Sequence, residues 1–361
     1  MTFTATWTVN EYTITFDANG GAVEPETMTI TYGETIGELP VPTLKNHDFL
    51  GWFDEDGNEY KAGDVYLVDG DLTLIAKWQE HPVIFRAVNT TLGSSIGLNF
   101  YVKLAPEIVN DPNTVMQFTV NGKVIEVPMS EAVVSVKNGE TRYRFTCYVY
   151  TKQMADMVTA QIITSEGAVG DAKAMSVAAY CKALLAITND EQMIQLVKAM
   201  LNYGAAAQVM FDYNVNNLAN ADLSEEDKVL ADVDASAYAY SVAGSEEGIK
   251  LQSANLVLDS DVNLRVYFKL TGEKTIDAFT FYVDGQEVKP IQKGDRYYVQ
   301  IRIDKASNMD QLHEIVVGDL SLSYGVLSYV DTVLNKSDDQ NAINMVKALY
   351  AYTMAAKACF G

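Results

Sequence analysis

Apolar and polar residues alternate along much of this chain and change to a three-to-four-residue period only in a few stretches. Between Arg142 and Tyr150 the alternation is strict. Tyr143, Phe145, Cys147 and Val149 share one face, and Arg142, Arg144, Thr146, Tyr148 and Tyr150 share the other. That pattern predicts a strand with one side in a core. It recurs where Tyr297, Val299, Ile301 and Ile303 oppose Arg296, Tyr298, Gln300 and Arg302. From about residue 83, Phe85, Leu98, Phe100, Val102 and Leu104 predict further strands, with turns at Asn121-Gly122 and Asn138-Gly139. Near the start, Thr13-Ile14-Thr15-Phe16 alternates and runs into Asn19-Gly20-Gly21, where positive φ is easily adopted. Met193, Leu196, Val197, Met200, Tyr203 and Ala207 instead form a helical stripe. Thr188 with Glu191, and Ser337 with Gln340, have the spacing of capping boxes at two helix starts. The expected fold class is mostly β with α.

Several passages occur twice. Val197-Lys198-Ala199-Met200-Leu201-Asn202-Tyr203 returns as Val346-Lys347-Ala348-Leu349-Tyr350-Ala351-Tyr352, and the match continues to Phe211 and Phe360. Upstream, the stretch from Leu92 to Leu104 answers the stretch from Leu258 to Leu270 with six of thirteen positions identical. Phe118-Thr119-Val120-Asn121-Gly122 answers Phe281-Tyr282-Val283-Asp284-Gly285, and Arg142-Tyr143 answers Arg296-Tyr297. The pieces keep their order, so residues 81–219 and 249–361 are expected to be copies of one module, each an antiparallel sheet or sandwich closed by a helical hairpin. Residues 220–248 between them hold eight acidic groups against the single base Lys228. They read as an acidic linker, in which Ser224 and Asp227 mark a short capped helix over Leu223–Ala231.

Residues 12 to 78 carry a named pattern. Tyr12-Thr13-Ile14-Thr15-Phe16-Asp17-Ala18-Asn19-Gly20-Gly21, Tyr32-Gly33, Leu39-Pro40-Val41-Pro42, Phe49-Leu50-Gly51-Trp52-Phe53 and Leu72-Thr73-Leu74-Ile75-Ala76-Lys77-Trp78 follow in order. Together they resemble the Listeria–Bacteroides repeat, the B-repeat type of module of internalin-like surface proteins. The resemblance implies that residues 11–80 form a small β-grasp-like unit, exported and arrayed in tandem. Thr4-Ala5-Thr6-Trp7 matches Ile75-Ala76-Lys77-Trp78, so residues 1–10 are expected to be the tail of a preceding repeat. The paired modules resemble uncharacterised tandem domains that accompany such repeats in surface and secreted proteins of gut Firmicutes, marked by the helix from Val197 to Gln208. The second copy departs from that signature at Ala351, Thr353 and Met354. This second resemblance implies an extracellular, Gram-positive location more firmly than an activity.

The net charge of −22 argues against nucleic acid and anionic membranes as partners and suits a self-repelling, monomeric surface. No stretch reaches the ~20 apolar residues that span a bilayer. Cys147, Cys181 and Cys359 form no C-x-x-C pair, and they read as buried, inert thiols. His47, His81 and His313 have no ligand spacing, and Asp54-Glu55-Asp56-Gly57-Asn58 reads as a hairpin turn, because no Glu closes a twelve-residue calcium loop. No metal and no cofactor is expected.

Nucleophile elbows, phosphate loops and dinucleotide-type glycine turns are absent, so the reading is non-catalytic. Asp259 and Asp261 align with Gly93 and Ser95, so a carboxylate pair there would not be shared by the copies. Duplication favours binding, and the outward strand face offers the chemistry for an extracellular polysaccharide or host glycan. Sugar rings stack on aromatic faces while polar neighbours orient their hydroxyls. The candidate residues are Arg142, Arg144 and Tyr148 in the first copy and Arg296, Tyr298 and Arg302 in the second. All three tryptophans lie in or before the first domain, where Trp52 and Trp78 read as core, so tyrosine would serve. The alternative is a stalk that projects other domains and has no ligand of its own.

Overall fold

The computed structural model describes residues 3–4, 8–92, 95–258 and 262–361, with the side chain of residue 92 excepted. Most of the expected closing strand at Thr4–Trp7, together with Gly93, Asp259 and Asp261, lies outside them. The chain divides into two compact units: residues up to Ile84 with Lys103–Ile108, and Phe85–Val102 with Val109–Gly361.

The first unit contains β1 (Glu11–Asp17), β2 (Thr27–Thr31), β3 (His47–Phe53), β4 (Glu59–Tyr60) and β5 (Leu72–Glu80), in the sheet order β2-β1-β5-β3-β4. The central pair β1 and β5 is parallel and the flanking pairs are antiparallel. This is the strand arrangement of a β-grasp-like sheet, but residues 32–46 cross between β2 and β3 without a helix. Ile14, Phe16, Ile36, Trp52, Tyr66 and Leu74 form its core. Trp52 is buried with its indole N–H on the Pro40 carbonyl (2.8 Å), while the half-buried Trp78 donates to Ala18 (3.1 Å). Asp54 to Asn58 is a turn between β3 and β4, and Asp54 Oδ1 accepts from the Asn58 amide at 2.8 Å.

After β5 the chain forms β6 (Val83–Leu92), β7 (Ile96–Leu104) and α1 (Pro106–Asn110), of which Val83–Ile84 and Lys103–Ile108 belong to the first unit, and then, in the second, β8 (Val115–Val120), β9 (Lys123–Pro128), β10 (Val133–Lys137), β11 (Glu140–Val149), β12 (Val158–Thr164) and β13 (Gly167–Met175). Then come α2 (Val177–Leu185) and α3 (Glu191–Met210). Two sheets, β10-β11-β7-β6 and β13-β12-β8-β9, meet across the buried rings of Phe100 and Phe118, 5.4 Å apart. Phe145, Cys147 and Val149 are buried as the alternation predicts. Burial pushes the Cys147 and Cys181 thiols up to about 12, so neither is a nucleophile at neutral pH.

The chain continues through α4 (Glu225–Lys228), β14 (Ser241–Ala243), β15 (Ile249–Leu258), β16 (Val262–Leu270), β17 (Phe281–Val283), β18 (Gln286–Val288), β19 (Ile291–Lys293) and β20 (Arg296–Ile303). It ends with β21 (Leu312–Val317), β22 (Leu320–Gly325), α5 (Val326–Lys336) and α6 (Gln340–Phe360). The sheet β15-β16-β20-β19 has the order of β6-β7-β11-β10, and the register matches: Arg144 faces Tyr101 as Tyr298 faces Tyr267. The second sheet, β14-β22-β21-β17-β18, gains β14 from the acidic segment.

That segment is docked rather than free. Ser224 caps α4 by accepting from the Asp227 amide, but the helix ends at Lys228, short of Ala231. Lys198 meets Asp227 at 2.7 Å, Asn202 donates to the Asp227 carbonyl at 2.7 Å, and Leu223 and Ala235 are buried. The helix caps also differ from expectation. Asp190 and Asp339, not Thr188 and Ser337, accept from the first-turn amides, at 3.0 Å from Gln192 and 2.9 Å from Asn341. A carboxylate at the helix start gains from the helix dipole as well as from the hydrogen bond. Thr188 and Ser337 brace the caps instead, accepting from the Asp190 and Asp339 amides.

The helices of the two copies pack on each other. Tyr203 of α3 and Tyr352 of α6 occupy equivalent repeat positions, are fully buried and stack with centroids 5.8 Å apart and planes 16° from parallel. A residue that meets its own counterpart is the mark of a two-fold-like interface.

Candidate functional site

The most developed concavity of the first copy arises where a strand changes sheets. β9 leaves its partner β8 at Pro128, passes through the tight turn Met129–Glu131 and becomes β10 in the opposite sheet. β10 pairs with β11 only as far as Arg144. From Phe145 to Val149 the outer edge of β11 has no strand partner among the described residues. A groove of about 500 Å³ lies there, within the usual size of small-molecule sites.

One wall is the outward face of β11 and its continuation: Arg144, Thr146, Tyr148 and Tyr150. Spaced two residues apart, they stand in a row with about 7 Å between neighbours. The opposite wall brings Lys123, Glu126 and Glu131 over an apolar floor that includes Ile125 and Val127. Gly97 of β7 faces Tyr148 and puts no side chain beside it, so the ring is 49% exposed; Tyr150 is 38% exposed. A Cβ at Gly97 would lie 2.5 Å from the Cys147 carbonyl oxygen, too close for any larger residue without moving β11. Thr146 donates to Asn99 at 2.7 Å and is fixed by it.

Arg144 differs from its neighbours in the groove. Its Nε is shielded from solvent, and among the described residues it has no hydrogen-bond partner and no ion pair or ring contact reaches the guanidinium. The nearby Arg142 is committed. Its Nε donates to Glu140 at 2.8 Å, and Arg86 Nε donates to both oxygens of the same carboxylate at 3.0 and 2.9 Å. The Arg86 and Arg142 guanidinium groups hold the Glu140 carboxyl below the usual carboxylate range, with Arg86 the larger influence.

In the second copy the candidate face is filled. Arg296 lies 5.2 Å from the Tyr267 ring, Tyr267 packs 5.1 Å from Tyr298, and Arg265 lies 5.4 Å from Tyr298, so a cation flanks the ring pair on each side. Arg265 is itself fixed by Gln300 at 2.8 Å. Arg302 is exposed, with Asp304 3.5 Å away. The strand crossing is shorter here, since only Lys289 and Pro290 separate β18 from β19. Of the six sequence-chosen residues the structure brings two, Arg144 and Tyr148, into one groove. Sequence reasoning put Tyr150 on the correct face without choosing it, and it missed Glu126 and Glu131. Their proximity depends on which sheet β9 joins.

Among the described residues no group of three or more His, Cys, Asp or Glu is placed to hold a metal ion, and no helix is long and apolar enough to cross a membrane. His313 Nδ1 lies 2.7 Å from Asp284, and His81 Nε2 lies 3.1 Å from Asp48.

Residues 12–77 match the model of the Listeria-Bacteroides repeat domain. Similar proteins include one from Evansella cellulosilytica described as a Gly-rich membrane protein, 40% identical over 80 residues, which are 22% of this chain and 9% of that protein. Internalin H of Listeria monocytogenes is 30% identical over 83 residues, 22% of this chain and 15% of its own length. The chain thus matches only a small part of these curated relatives, and the likeness lies in a stretch the length of the first unit.

Proposed function

We propose that this chain is a non-catalytic segment of an exported, cell-surface protein of a Gram-positive bacterium, and that its first duplicated copy binds a saccharide in the groove between β9 and β11. The repeat at residues 12–77 and relatives described as a membrane protein and an internalin support the surface location. The groove carries the binding half of the reading: two exposed tyrosine rings in a row with polar side chains, beside an unpaired strand edge that offers backbone hydrogen bonds. An extended peptide adding to that edge fits less well. The free edge covers only Phe145–Val149 and is closed at Arg144, where β10 already pairs.

A shallow site of this kind gives a Kd of about 10 μM to 1 mM. Affinity electrophoresis against plant, microbial and mucin polysaccharides tests it, comparing the intact chain with Tyr148→Ala/Tyr150→Ala and with Arg302→Ala as a control in the second copy. Retention lost in the tyrosine double variant and kept in Arg302→Ala is expected. Equal retention by all three would place the ligand elsewhere, and no retention on any polymer would make the stalk the better account.

A further inference from the structure

Arg144 poses a physical question that a neutral ligand leaves unanswered. The chain carries 48 acidic against 26 basic side chains, so a cation without a carboxylate beside it is unexpected. Each of the other arginines has a partner: Glu140 for Arg86 and Arg142, Gln300 for Arg265, the Tyr267 ring for Arg296 and Asp304 for Arg302. Arg144 has none among the described residues, and its Nε is buried besides. Leaving a desolvated donor unpaired destabilises the fold, and no described residue of the groove offsets that cost at Arg144. A group that is costly when unpaired and faces a concavity is the usual sign of a position kept for a ligand.

Resting on the saccharide reading of this groove, we infer that its ligand is an acidic sugar polymer, a polyuronate, whose carboxylate pairs with the Arg144 guanidinium. A guanidinium presents a planar fork of donors that a carboxylate matches with two parallel bonds. Among the described residues neither Glu126 nor Glu131 on the facing wall forms an ion pair with the guanidinium; Glu126 already accepts from Gln117 Nε2 at 3.2 Å, and as carboxylates both accept hydrogen bonds only. Their natural partners are hydroxyl donors. The groove therefore asks for one carboxylate, several hydroxyls and ring faces for Tyr148 and Tyr150 within a single small unit. A uronic acid residue supplies all three. A polyanion without hydroxyls would bring its charge against the two glutamates and gain nothing from them.

The test uses the full chain and four probes in affinity electrophoresis: polygalacturonate, alginate, carboxyl-reduced polygalacturonate and polyglutamate. Retention by at least one of the two polyuronates is expected. It should fall at least ~10-fold on Arg144→Gln, as it should when the charge-assisted pair is lost, and be absent on the carboxyl-reduced polymer and on polyglutamate. Arg144→Leu should also raise the urea midpoint or leave it unchanged, because the arginine has no internal partner to lose. Equal retention of the reduced polymer, or indifference to Arg144→Gln, would overturn the acidic assignment and leave the saccharide reading standing. Retention of polyglutamate as strong as that of a polyuronate would show a site that reads charge alone and would overturn it as well. A midpoint lowered by Arg144→Leu would assign the arginine a structural role. If none of these probes and no neutral polysaccharide is retained, both readings fail together.

Discussion

Replacing Tyr203 or Tyr352 by alanine tests whether the two copies share one helical core. Both rings are fully buried and lie 5.8 Å apart, 16° from parallel. Removing a buried aromatic side chain costs about 3–5 kcal/mol, and a stacked pair contributes about 0.5–1.5 kcal/mol beyond its burial. Each single variant should therefore lose several kcal/mol. The double variant should lose less than the sum of the singles by about that coupling, because the second truncation no longer breaks a stack. Urea unfolding with two probes separates the units. Far-ultraviolet ellipticity follows the helices, with α2, α3, α5 and α6 all in the second unit, while tryptophan emission from Trp52 and Trp78 follows the first. The ellipticity midpoint should fall and the tryptophan midpoint should hold. Single losses under about 1 kcal/mol, or losses that add without coupling, would refute a shared core built on this contact.

Two further outcomes follow from the geometry. Arg86 and Arg142 depress the Glu140 carboxyl below its ordinary 4.5, so the stabilisation it gives is fully present above that value and is lost as pH falls through the depressed one. Thermal melts should separate the parent from Glu140→Gln near neutral pH and bring them together in acid below that range; a gap that widens in acid would contradict the assignment. Asp190→Ala and Asp339→Ala should each cost about 0.5–2 kcal/mol in urea titrations. The same assay should give smaller losses for Thr188→Ala and Ser337→Ala, and the reverse order would restore these two as the caps.

Much of the architecture was legible because burial imposes period on sequence. The strict alternation from Arg142 to Tyr150 and from Arg296 to Ile303 gave both strands and their faces, and the duplicated helices gave α3 and α6. The helix starts were misplaced by two residues, since S-x-x-Q and T-x-x-E spacing hid the stronger competitor, an aspartate, inside each box. Docking of the acidic segment rests on Lys198 to Asp227 and Lys347 to Asp232, pairings between residues far apart in sequence that no local pattern announces. At the site, the commitment of Arg142 was readable in part, because Glu140 lies two residues away on the same strand face. The second guanidinium, from Arg86, was not, and neither was the wall that carries Glu126 and Glu131.

The structure also changes what the duplication implies. The two copies agree where they pack: the register of β7 with β11 is that of β16 with β20, and Tyr203 meets Tyr352. They differ on the outward face. Tyr298 stands where the first copy has Arg144, Arg302 where it has Tyr148, and Asn263 where it has Gly97, while the strand crossing shrinks from Met129–Ala132 to Lys289–Pro290. Each difference acts in the same direction. A tyrosine packed at a tilt against Tyr267 replaces the arginine of the first copy, a side chain replaces the gap beside the exposed ring, and a shorter crossing leaves less chain to hold the sheets' edges apart. Packing positions are constrained by both copies at once, whereas a surface face is constrained only by what it binds. The duplicated stretches therefore share one helical contact, while among the described residues the groove between β9 and β11 has no counterpart on the equivalent face of the second copy. If the groove binds as proposed, the intact chain should show no two-site avidity gain over a chain whose second-copy face is altered by Arg302→Ala, because avidity needs equivalent sites on both copies.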